Sequence, residues 1–76
     1  MGNGRIADVL VENKDNGLNV WADDGNKEII KSVEGVFQVT QIYSRYDVTL
    51  DHRYDAEYVK KEIEAQIKIN GVNKND

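Results

Sequence analysis

The sequence predicts an α+β domain: a four-stranded, mainly antiparallel sheet with two helices on one face, in the order ββαββα. Three observations carry that expectation. Glu34 to Asp55 (EGVFQVTQIYSRYDVTLDHRYD) holds two runs rich in β-branched and aromatic residues around a short polar join, Ser44-Arg45, which is the pattern of a hairpin. From Ala56, apolar residues recur at four-residue spacing behind an aspartate, which is the pattern of a helix start and stripe. Nearer the N-terminus, two apolar runs flank Asn13 to Gly17 (NKDNG), a turn composition.

Arg5 to Glu12 (RIADVLVE) alternates as a strand, with Ala7, Val9 and Val11 on one pleat and Ile6, Asp8, Leu10 and Glu12 on the other. The turn after it ends in Asn-Gly, where positive φ costs little. Leu18 to Ala22 (LNVWA) reads as the return strand, Leu18 and Val20 inward, Asn19 and Trp21 outward. Asp23, Asp24 and Asn26 each offer a short side-chain oxygen to cap the next helix. That helix is expected from Lys27 to about Glu34, with Ile29, Ile30 and Val33 buried and Gly35 as its stop. At two turns it depends on a sheet beneath it.

Val36 to Tyr43 is a strand of mixed faces: Phe37, Val39, Gln41 and Tyr43 on one, Val36, Gln38, Thr40 and Ile42 on the other. Tyr46 to His52 is cleaner, with Tyr46, Val48 and Leu50 alternating against Asp47, Thr49 and Asp51. Asp55 caps a second helix, Ala56 to about Ile69, whose stripe is Val59, Ile63 and Ile67. Glu57–Lys61 and Glu64–Lys68 stand in the favourable i,i+4 order. Asn70-Gly71 ends it. Residues 1–4 and 72–76 read as loose ends of one domain with an ordered core over about residues 5–70.

A chain of 76 residues has room for one core. The absence of cysteine removes disulfides, thiolate metal sites and nucleophilic thiols together, and suits a reducing cytoplasm. A formal net charge of −4, with lysines alternating among acids, opposes nucleic-acid phosphates, so no nucleic-acid partner is expected. No apolar run approaches the roughly 20 residues of a membrane span. The expectation is a soluble, cytoplasmic protein with no membrane attachment.

The strand–helix–strand–strand–helix series from Leu18 to Ile69 resembles the ferredoxin-like βαββα core. More narrowly, EGVFQVTQ, YDVTLDHRYDAEYVKKEIEAQI and the closing Asn-Gly resemble the second half of a heavy-metal-associated domain. That family carries a Cys-x-x-Cys metal loop between its first strand and first helix; here the stretch is Trp21-Ala22-Asp23-Asp24-Gly25-Asn26, so its metal transfer does not carry over. The family also closes with a strand after the last helix, and no good strand follows Ile69. Arg5 to Glu12 takes that edge instead, giving a circularly permuted ferredoxin-like sheet of order 1-2-4-3 in which the second and fourth strands are expected to be parallel. The alternative is an ordinary βαββαβ arrangement with Ile67 to Val72 as the last strand.

Chemistry is sparse. His52 lies in Asp51-His52-Arg53-Tyr54-Asp55, where a histidine among carboxylates could shuttle protons or help hold a metal; the reading adopted is a solvated strand-to-helix turn. Asp23, Asp24 and Asn26 could hold a hard cation, but the calcium loop's late glutamate is missing, and a capping cluster is preferred. There is no phosphate cradle, nucleophile elbow or His-Glu-x-x-His. No catalytic residue, metal ligand or cofactor is assigned, and the protein is expected not to be an enzyme. Tyr43, Tyr46, Tyr54 and Tyr58 are expected at the edge of the core with their hydroxyls in water.

Trp21 is the most informative residue. With Leu18 and Val20 inward it points to the uncovered sheet face, where alternation adds Ile6, Leu10 and Ile42. Four large apolar groups there predict an interaction surface for a protein partner or a second copy. An exposed first strand, or the Tyr46–His52 strand as an edge, adds pairing capacity. The expected function is therefore a small acidic interaction module. The alternatives are a carboxylate/His-based ligand or ion-binding domain related to metal carriers, and an acidic regulator that mimics nucleic acid.

Overall fold

A computed structural model describes residues 9–71. Its elements are β1 (Val9–Lys14), β2 (Gly17–Ala22), α1 (Lys27–Lys31), β3 (Val36–Ile42), β4 (Arg45–Leu50) and α2 (Ala56–Asn70), the ββαββα order expected. They form an α+β fold with one four-stranded sheet of order β1-β2-β4-β3. Every neighbouring pair is antiparallel, which corrects the expected parallel pairing of the second and fourth strands. The reason is the crossover: α1 returns the chain so that β3 runs parallel to β2 but one strand away. The tight hairpin then drops β4 into the gap, opposed to both. β4 is thus central, and the edges are β1 and β3, so Tyr46–His52 is not an edge. Residues 67–70 belong to α2, which removes the strand expected there in the alternative topology.

One pleat of the sheet meets both helices. Val11, Leu18, Val20, Val39, Tyr46 and Val48 are buried in one cluster with Ile30 and Val33, and with Val59, Ile63 and Ile67 of α2. Each such side chain contributes about 1.5–3 kcal/mol when fully buried. α2 lies over β1 and β2, α1 over β3, and the two helices touch.

Several local expectations change. β1 runs on to Lys14, which pairs with Gly17, so the turn is Asp15-Asn16. Asn16 takes the positive φ (62°), while Gly17 lies within β2. Glycine is needed there because a Cβ would overlap the backbone carbonyl oxygen of Val48 on β4. α1 is five residues long, shorter than expected. Its exit tightens as Val33 N–H donates to the Ile30 carbonyl (3.1 Å) and Val36 N–H to the Val33 carbonyl (3.2 Å), with Gly35 at φ 100°.

Neither expected cap bond forms. Asp55 holds the extended N-cap position of α2 without a side-chain cap bond. Asn26 at the start of α1 is fully buried and turned elsewhere: its Nδ2 donates to the Asp23 carbonyl (2.8 Å), and its backbone N–H donates to Tyr46 Oη (3.2 Å). Tyr46 Oη in turn donates to the Asp23 carbonyl (2.8 Å). Tyr46 is fully buried, not a core-edge tyrosine with its hydroxyl in water.

β3 and β4 depart from simple alternation twice. A bulge between Val36 and Gln38 turns Val36 toward the core and leaves Phe37 72% exposed. The hairpin turn is Tyr43-Ser44 rather than Ser44-Arg45, since Ile42 pairs directly with Arg45. Tyr43 sits there at φ 55°, with its side chain 93% exposed.

Candidate interaction surface

Among the described residues nothing covers the pleat opposite the helices, and the register arranges its side chains in rows. Leu10 pairs with Trp21, Trp21 with Arg45, and Arg45 with Ile42, so one row crosses all four strands. The next row is Glu12–Asn19–Asp47–Thr40, and the third is Lys14–Gly17–Thr49–Gln38. Three of the four residues expected on this surface, Trp21, Leu10 and Ile42, therefore stand in line. The fourth, Ile6, lies outside the described residues. Sequence reasoning missed Arg45, which it placed in the hairpin join; correct placement of the turn would have put it in the row.

Leu10 is 54% exposed and Ile42 36%, whereas Trp21 and Arg45 are half-buried. Arg45 Nη1 donates to Asn19 Oδ1 at 2.8 Å, tying the guanidinium down toward the second row. Lys14 crosses above Gly17, where no side chain intervenes, to pair with Asp47. Among the described residues the three rows carry two acids, Glu12 and Asp47, and two bases, Lys14 and Arg45. A shallow hollow of about 220 Å³ beside Trp21 is lined by Ala22, Asp23 and Ser44.

The acidic turns do different work. Asp51 accepts from Arg53 Nη2 (2.7 Å), Nε (3.0 Å) and backbone N–H (3.0 Å). These bonds, the side-chain ones foremost, hold its carboxyl well below the usual carboxylate range. Tyr54 Oη donates to Glu34 Oε2 at 2.6 Å, and that bond pushes the phenol upward. His52 is exposed between two open grooves, one of about 560 Å³ on the Phe37 side and one of about 600 Å³ on the Lys14 side. Asp24 Oδ1 accepts from Gln41 Nε2 at 2.6 Å. Among the described residues, no three of the His, Asp and Glu side chains converge as a metal site. Nor is any helix among them long and apolar enough to cross a membrane.

The geometry defines a class: a small α+β domain with helices on one side of its sheet and an uncovered pleat on the other. Compared with known proteins, the chain matches no family model, no curated sequence and no solved structure.

Proposed function

We propose that this chain is a non-enzymatic interaction module that docks a protein partner on its open sheet face. The observation that carries the reading is the single row Leu10–Trp21–Arg45–Ile42. Tryptophan and arginine are the residue types that most often anchor interfaces, and here they are adjacent, flanked by exposed aliphatic groups. The matching surface is an apolar ridge bearing one carboxylate to meet Arg45. Burying Leu10, Trp21 and Ile42 against it supplies the affinity, and the arginine sets the register.

The fold reading belongs to the same proposal: a ferredoxin-like sandwich, circularly permuted, related to heavy-metal-associated domains that have lost the cysteine loop. The order β1-β2-β4-β3 supports it, because moving that fold's last strand to the front yields this order with every neighbour antiparallel. In such a relative, with Asp23, Asp24 and Asn26 where the thiolates stood, the sheet face rather than the loop is the working surface.

The test is capture of partners by the immobilised chain, comparing wild type with Trp21→Ala and Leu10→Lys, each checked for retained fold by circular dichroism. A protein held by wild type and released by both variants is the expected result. A wild-type chain that captures nothing, with Trp21 emission already that of a water-exposed indole, would end the proposal.

A further inference from the structure

The outer edge of β3 is unguarded. Residues 35–44 (GVFQVTQIYS) are the longest stretch of the sequence without a charged residue, in a chain that is 32% charged. Natural sheet edges are protected from pairing by charges, prolines or bulges. The other edge, β1, carries Glu12 and Lys14, while β3 has no charge and only its one bulge. Among the described residues, β3 pairs on one side only, with β4.

The two most exposed aromatic rings lie at the two ends of this edge: Phe37 at 72% and Tyr43 at 93%. Tyr43 is the sharper case. Its φ of 55° is a conformation that glycine adopts freely and a bulky side chain adopts at a cost. Neither the turn nor the core gains from the ring, so folding alone accounts for no part of it.

We infer that β3 is a homotypic docking edge, where a second copy of this chain adds its own β3 antiparallel to form one eight-stranded sheet. The edge's own sequence selects the occupant, because it can pair with itself: two copies at −4 each repel over most of their surfaces, but here no like charges stand opposite each other. Register supports it further. An antiparallel pairing centred on Thr40 places threonine against threonine and Val39 against Gln41. It also sets the bulge residue Phe37 of each copy near the turn residue Tyr43 of the other, just beyond the paired stretch, two aromatic contacts around one two-fold axis. The backbone suits this as well. The two-residue turn makes Ile42 and Arg45 the closing bonded pair, so alternation turns Thr40 and Gln38 toward β4 and the N–H groups of Val39 and Gln41 outward. The axis stands perpendicular to the sheet, so both open faces look the same way. The inference is independent of the docking proposed for those faces.

Sedimentation of the full chain over a concentration series, with amide hydrogen exchange, tests the edge. Wild type is expected to dimerise, with Val39 and Gln41 amides gaining protection as concentration rises. Thr40→Lys, at an exposed position facing its own copy across the axis, is expected to abolish dimerisation while leaving the circular dichroism spectrum unchanged. Tyr43→Gly is expected to weaken self-association by about tenfold, the worth of two aromatic pairs, while holding or raising the denaturation midpoint. Trp21→Ala is expected to leave it unchanged. A wild type that stays monomeric throughout would overturn the inference, as would a dimer indifferent to Thr40→Lys. A dimer lost with Trp21→Ala but kept with Thr40→Lys would overturn it too, placing the contact on the open face.

Discussion

Removing one oxygen atom tests the interior of the fold. Tyr46 is fully buried on the central strand, and its hydroxyl joins the Asp23 carbonyl (2.8 Å) to the Asn26 N–H (3.2 Å). Tyr46→Phe keeps the ring and deletes both bonds. At about 1 kcal/mol net for each neutral hydrogen bond, the expected loss is about 2 kcal/mol. At about 0.05–0.15 kcal/mol per residue the whole domain has roughly 4–11 kcal/mol, so this one atom is a substantial fraction. With a urea m value of about 1 kcal/mol/M, the midpoint should fall by about 2 M at unchanged slope, read by the fluorescence of Trp21 on the neighbouring strand. The same measurement on Asn26→Ala, which keeps that backbone N–H but removes the Nδ2 bond to the Asp23 carbonyl that Tyr46 shares, and on the double variant should show non-additivity of at least about 0.5 kcal/mol. A single variant within about 0.5 kcal/mol of wild type, or strict additivity, would refute the claim that this hydroxyl locks the β2–α1 loop onto the sheet.

Two further outcomes follow from the same geometry. Gly17→Ala sets a methyl group against the Val48 carbonyl and must separate the central strands, so a loss of at least about 3 kcal/mol is expected, whereas Asn16→Gly, one residue earlier, should change little. Thermal melts that rank the two the other way would return the glycine requirement to the turn. Asp51, depressed by Arg53, should remain ionised below the other carboxylates in a ¹³C titration and move part of the way up in Arg53→Gln, which removes the guanidinium but keeps the backbone N–H bond. Because its folded pKa is lowered, its stabilising effect is present above the unfolded value of about 3.9 and fades as pH falls from there, the opposite of what a raised pKa would give.

Alternation alone made most of this architecture legible. Leu18 and Val20 inward with Trp21 outward follows from a period of two, and the stripe Val59, Ile63, Ile67 from a period near four. What stayed hidden has one physical character: it depends on a single residue's backbone or on one long-range contact. The antiparallel β2–β4 pairing, by contrast, follows from the expected strand order itself: a crossover sets β3 parallel to β2, a hairpin opposes β4 to β3, and β4 between them must then oppose both, so the parallel expectation misread the order. Asn26 reads as a cap because caps and buried polar bridges use the same residue types; only the arrival of Tyr46 from twenty residues downstream separates them. Gly17 reads as a turn glycine because Asn-Gly is a turn signal, and nothing in the sequence reports the approach of the Val48 carbonyl.

The two irregularities of the β3–β4 hairpin bear most directly on function. A regular strand would place Phe37 on the same pleat as Val39, against the helices, where a phenylalanine is worth about 1.5–3 kcal/mol of burial. The bulge instead presents Val36 to the core and sends the larger ring outward. At the other end, the turn places a tyrosine where glycine would relieve the backbone, and points it into solvent. In a domain whose described core is eleven side chains, the turn runs against folding stability and the bulge exchanges a buried ring for the smaller Val36, and both leave an aromatic ring on the same uncharged edge. Two independent local costs converging on one edge are what selection for a contact outside the chain would produce.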